Sequence, residues 1–141
     1  MSEKLQSAMV VDDDPDDLAL ARRHLLRSER FERVLTASDG AEAVAAFKKY
    51  SEGHPVEDGF PPLLMLLDIN MPGASGFEVL ETMVSLEGVA LPHVVVMLSS
   101  SDATEDRKRA AQYTIVSDYV VKPLTRAVTH RLADQVEESE R

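Results

Sequence analysis

Five short runs of apolar residues punctuate the chain: Ala8–Val11, Val34–Ala37, Leu63–Leu67, Val94–Leu98 and Tyr119–Val121. None alternates polar with apolar positions, and unbroken runs of this length suit strands buried on both faces. Between them the pattern changes to helical spacing. Leu18, Ala21 and Leu25 fall at i, i+3 and i+7, and Phe77, Leu80 and Val84 repeat that spacing. Near the carboxyl end Leu124, Val128, Leu132 and Val136 recur every four residues. Such a stripe serves either a core face or contact with a second copy of the chain, a homodimer.

The helix starts are marked. Asp14-Pro15-Asp16-Asp17 places an N-cap acid before a proline at the first helical position, with further acids in the first turn. Asp39 with Glu42, Ser75 with Glu78, and Asp102 with Glu105 share the spacing of a capping box. The fifth helix follows Lys122-Pro123, where proline breaks the strand. The order is therefore (βα)₅, and right-handed crossovers with helices on both faces predict an α/β, doubly wound parallel sheet. Residues Glu52–Pro62, with three prolines and two glycines, read as a loop. Residues 1–141 read as one domain, and no output domain is expected after the fifth helix.

Composition narrows the function classes. The chain carries 25 Asp and Glu against 15 Lys and Arg, a net charge of −10, which argues against nucleic acid as a partner. Absence of cysteine excludes disulfides, thiolate zinc sites and cysteine nucleophiles. No apolar leader segment and no run of membrane-spanning length is present, so the expectation is a cytoplasmic protein without a membrane partner. His24, His54, His93 and His130 are scattered and form no ligand pair.

In an open α/β sheet, ligands bind beyond the carboxyl ends of the strands. Asp12 and Asp13 follow the first strand, Asp68 the third and Ser99 the fourth, while the fifth runs into Lys122. Three carboxylates, a hydroxyl and an ammonium thus converge at one edge. The carboxylates must share a proton or a cation, because two like charges ~4 Å apart repel by roughly 4 kcal/mol at an effective dielectric of about 20. Hard oxygen donors without His or Cys point to Mg²⁺, with Mn²⁺ as a substitute. Asp14, Asp16 and Asp17 are read instead as helix-cap and first-turn acids. The site acids and nine acids at helix starts account for the surplus: with those twelve set aside, 13 acids face 15 bases.

Four stretches carry a family resemblance: Met9-Val10-Val11-Asp12-Asp13-Asp14-Pro15, Leu66 to Gly73 with Gly76 following, Val96-Met97-Leu98-Ser99-Ser100, and Tyr119-Val120-Val121-Lys122-Pro123. Over nearly its whole length the sequence resembles the receiver domain of two-component response regulators. The resemblance implies a flavodoxin-like sheet in the order 2-1-3-4-5. It implies Asp68 as phosphoacceptor, with Mg²⁺ held by Asp12, Asp13, Asp68 and the backbone carbonyl of Asn70. By the same resemblance Ser99 is the switch hydroxyl, Lys122 the phosphate-binding lysine, Tyr119 the aromatic that follows Ser99, and the bond to Pro123 is cis.

The implied function is a stand-alone regulator, not an enzyme. It accepts a phosphoryl group from a sensor histidine kinase or phosphotransfer protein, then switches protein contacts or passes the group on. The Asp-Pro-Asp-Asp start, the proline-rich loop and Leu98-Ser99-Ser100-Ser101-Asp102 resemble single-domain regulators encoded with bacterial phytochromes, implying a bacteriophytochrome as kinase. Two other readings stand beside this one. A receiver-fold adaptor would act without phosphorylation. A Mg²⁺-dependent phosphatase of the haloacid dehalogenase type would use Asp12 and Asp14, but that class has Thr or Val where this chain has Asp16.

Overall fold

The computed structural model describes residues 3–86 and 90–140. Strands and helices alternate as β1 (Leu5–Val11), α1 (Pro15–Arg27), β2 (Phe31–Ala37), α2 (Gly40–Ser51), β3 (Leu64–Asp68), α3 (Gly76–Ser85), β4 (Val94–Ser99), α4 (Thr104–Ala111), β5 (Val116–Val121) and α5 (Arg126–Ser139). The five strands form one parallel sheet in the order β2-β1-β3-β4-β5.

The unbroken apolar runs follow from burial on both sides. Successive side chains on a strand point to opposite faces. Met9, Val11, Met65, Leu67, Val95 and Met97 therefore pack under α2, α3 and α4, around Phe47, Phe77 and Leu80. Ala8, Val10, Leu64, Leu66, Val96 and Leu98 pack against Leu25 of α1 and Leu132 and Val136 of α5. The carboxyl-terminal stripe thus serves the core, although its first member, Leu124, precedes α5.

Three strands begin earlier than their apolar runs. β1 starts at Leu5, where Ser7 interrupts the hydrophobic pattern yet is fully buried and donates its hydroxyl to the Gly59 carbonyl at 2.6 Å. The early residues of β2 and β5 include exposed polar side chains, as edge strands allow. The Glu52–Pro62 loop, tied to Ser7, inserts Phe60 against Phe47 with ring centroids 4.8 Å apart. It closes the amino-terminal end of the sheet, opposite the strand ends that carry the charged residues.

Capping by Asp14, Asp39 and Ser75 is observed: each side chain accepts from the first turn of its helix. Two expectations need correction. Asp102 does not cap α4: Ala103 occupies that position without a side-chain cap, and Asp102 pairs with Arg107 instead. Val84 does not join the buried face of α3, being 52% exposed, and Val79 and Met83 complete that face. For α5 the cap is Thr125, whose hydroxyl accepts from the Val128 N–H. Among the described residues no helix is long and apolar enough to cross a membrane.

Candidate functional site: a carboxylate cluster with a central lysine

Asp12 leaves β1 with its backbone N–H bound to the Ala37 carbonyl at 3.1 Å. Its Oδ1 accepts from the Asp14 N–H at 3.0 Å, a local turn that aims Oδ2 inward. Asp68 is the last residue of β3 and lies beside Leu98 of β4. Asp12, Asp13 and Asp68 each offer a carboxylate oxygen, and these oxygens lie within 4.8 Å of one another. Asp12 is fully buried and Asp68 nearly so, while Asp13 opens toward solvent.

Lys122 enters from the end of β5. Its backbone N–H binds the Ser99 carbonyl at 2.7 Å, which joins the ends of β4 and β5. Its Nζ lies 2.8 Å from Asp12 Oδ2, 2.9 Å from Asp17 Oδ2 and 3.3 Å from Asp68 Oδ1. Of these contacts the one to Asp17 is aligned as a side-chain hydrogen bond. Asp12 Oδ2 is buried without an aligned donor, despite its short ion pair. A buried oxygen in that state, beside two further carboxylates and, among the described residues, no His or Cys ligand, fits a hard divalent cation.

Ser99 is fully buried and its hydroxyl accepts from the Ser101 N–H at 3.1 Å. The Ser101 carbonyl in turn accepts from the Tyr119 hydroxyl at 2.7 Å, and the Arg107 guanidinium lies 4.6 Å from the Tyr119 ring centre. Ser99 and Tyr119 are therefore joined through one loop residue. Asn70 sits two residues beyond β3 at the surface, and the Lys122–Pro123 peptide is cis.

A family model, the response regulator receiver domain, matches residues 8–134. The chain belongs to that family. The receiver domain is 29% identical over 124 residues to the chemotaxis protein CheY-3 of Vibrio cholerae, covering 86% of each chain. It is 32% identical over 115 residues to the transcriptional regulatory protein KdpE of Mycobacterium tuberculosis, covering 82% of this chain but only 43% of that longer protein. Among solved structures, a two-component response regulator from Cytophaga hutchinsonii superposes with a TM-score of 0.77 at 27% identity, covering 96% of this chain and 99% of the other. The bacteriophytochrome response regulator AtBRR superposes with a TM-score of 0.72 at 31% identity, covering 95% and 93%.

The receiver domain brings two residues to this site that the strand-end reading did not place there. Asp17 was legible as a first-turn acid and is one, but the helix begins directly after the Asp12-Asp13 turn. Its first turn therefore faces the crevice, and the carboxylate reaches a lysine 105 positions away. Gly76, at the start of α3, packs on the backbone of Asp68. A sequence motif shows such a glycine but not what it touches.

Burial, and then the neighbouring Asp12 charge, push the Asp68 carboxyl up to about 6 from 3.8, against the opposing pull of Lys122. Burial alone would lower the Lys122 ammonium, but its short ion pair with Asp12 and its hydrogen bond to Asp17 hold it above its ordinary value. The raised Asp68 has a definite sign in stability. Between about pH 4 and 6 the metal-free native state binds a proton that the unfolded chain has lost, so stability falls as pH rises through that window and then levels. Asp68→Asn should therefore stabilise the metal-free protein by about 1–3 kcal/mol at pH 7.5, with the gain gone near pH 4. Urea unfolding at the two pH values checks this. An equal gain at both would mean that the Asp68 charge is not the source.

Proposed function

We propose that this receiver domain accepts a phosphoryl group on Asp68 and uses it to change its protein contacts. One observation carries the proposal: the Asp68 carboxylate ends the central strand within reach of two further carboxylates and 3.3 Å from a partly buried lysine ammonium. A phosphohistidine on a sensor kinase or phosphotransfer protein is the donor. Asp68 Oδ attacks phosphorus in line, the O–P bond forms as the P–N bond breaks, and the histidine nitrogen keeps the electron pair and takes up a proton. Lys122 holds one phosphoryl oxygen as a point charge. Asp12, Asp13, Asp68 and the Asn70 carbonyl would hold Mg²⁺, which supplies neutralisation of the transferring oxygens when bound.

The new oxygens draw the Ser99 hydroxyl away from the Ser101 N–H, and the Tyr119–Ser101 bond passes that change to the face of α4, β5 and α5. Similarity to a bacteriophytochrome response regulator supports a phytochrome-type kinase as donor. The domain then acts as a phosphoacceptor signalling module rather than as a turnover enzyme, and residues 1–141 form one receiver unit. Radiolabelled acetyl phosphate with Mg²⁺ should label the wild-type chain and leave Asp68→Asn unlabelled. Label retained by Asp68→Asn would move the acceptor elsewhere. A wild-type chain that takes no label would favour the adaptor reading.

A further inference from the structure

Lys122 presents three N–H donors to three acids, and those acids differ in what else they must do. Asp12 and Asp68 belong to the trio whose oxygens converge within 4.8 Å, and Asp17 does not. A divalent cation in that trio and the Lys122 ammonium would compete for the same two carboxylates and repel each other. Among the described residues, the Asp17 carboxylate pairs with the lysine and lies outside that trio. Its carboxylate makes the aligned hydrogen bond, at 2.9 Å, from a helix start fixed by the Asp14 cap, whose side chain accepts from both the Asp16 and Asp17 N–H groups. The Asp17 carboxylate is 40% exposed, whereas the lysine it holds is 12% exposed. It thus approaches Lys122 from the outer side of the cluster.

We propose that Asp17 is a positioning residue for Lys122: it draws the ammonium toward α1, so that Asp12 and Asp68 can turn their oxygens to Mg²⁺ while Lys122 stays within reach of Asp68. This rests on the metal reading above but not on phosphoryl transfer itself. Without Asp17 the lysine falls back on Asp12 and Asp68, and Mg²⁺ must displace it. A first-turn acid that served only the helix would lower stability when replaced, but its effect on metal binding would not depend on Lys122.

The test is calorimetric titration of the full chain with Mg²⁺ alone, for wild type, Asp17→Asn, Lys122→Met and the double variant. Asp17→Asn should raise the Mg²⁺ dissociation constant about three- to tenfold, the span expected for losing a partly exposed charge contact. In the Lys122→Met background the same change should cost less than about twofold, the remainder being screened long-range attraction. Asp17→Glu should restore most of the affinity, and thermal melts confirm that each variant is folded. Equal losses in both backgrounds, or a loss below twofold in the wild type, overturn the proposal. If the wild type labels on Asp68 while Asp17→Asn binds Mg²⁺ normally, the positioning role fails and the phosphoacceptor reading stands. A wild type that binds no Mg²⁺ overturns both the metal site and the role of Asp17.

Discussion

Gly76→Ala is expected to destabilise the chain by about 1–3 kcal/mol and to reduce labelling of Asp68 at least about tenfold. A Cβ at Gly76 would lie 2.4 Å from the Asp68 carbonyl oxygen, 3.0 Å from Met97 Cε and 3.1 Å from Ile69 Cα. The methionine can swing aside, but two of these three neighbours are backbone. Nor can α3 simply retreat, because the Gly76 N–H is bound to the Ile69 carbonyl at 2.9 Å. The strand end that aims Asp68 must therefore shift. The better helix propensity of alanine, worth up to about 1 kcal/mol, does not offset a backbone clash of that depth. Urea unfolding and label incorporated per mole read the two effects separately. Normal labelling in a destabilised variant would show that the shift is absorbed in α3 and spares the site.

Replacing Lys122 is expected to cost more. Lys122→Met removes the cation that, among the described residues, pairs with Asp12, Asp17 and Asp68, and breaking a largely buried charge pair such as Lys122–Asp12 from one side typically costs about 3–5 kcal/mol. The loss applies to the metal-free protein at pH 7.5. The ammonium is held above its ordinary value, so its stabilisation is fully present below about pH 10 and disappears only as pH rises through the native value. Two conditions should recover much of the deficit. Mg²⁺ at millimolar concentration, bound at the proposed site, would neutralise the same carboxylates. Lowering the pH to about 5 lets Asp68, already pushed up to about 6, take a proton. A deficit unchanged by either treatment would mean that lost packing of the lysine stem, not charge, is responsible.

The legible and illegible parts of this molecule differ by the range of the interaction that sets them. Asp14, Asp39 and Ser75 cap their helices as their spacing indicates, because a cap acts within four residues. Asp102 has the same spacing and does not cap, because Arg107 on the next turn takes its carboxylate. Val84 fits the helical stripe yet is exposed, since which of several apolar residues is buried depends on where α3 meets the sheet. The start of β1 was hidden by Ser7, whose burial makes sense only once the Gly59 carbonyl is beside it.

The same division applies to the site. Strand ends are readable from the apolar runs, and sheet topology brings Asp12, Asp13, Asp68, Ser99 and Lys122 to one edge. By itself, then, the sequence determined the fold class, the family and those five of the side chains that meet in the crevice, because periodicity and motif spacing are local properties. Only the tertiary structure decided which oxygens converge, that Lys122 is held by Asp17 across 105 positions, and that Gly76 presses on Asp68. These depend on ångström-scale distances between elements far apart in the chain. Coulomb energy and steric contact vary steeply over that range, and no local pattern encodes them.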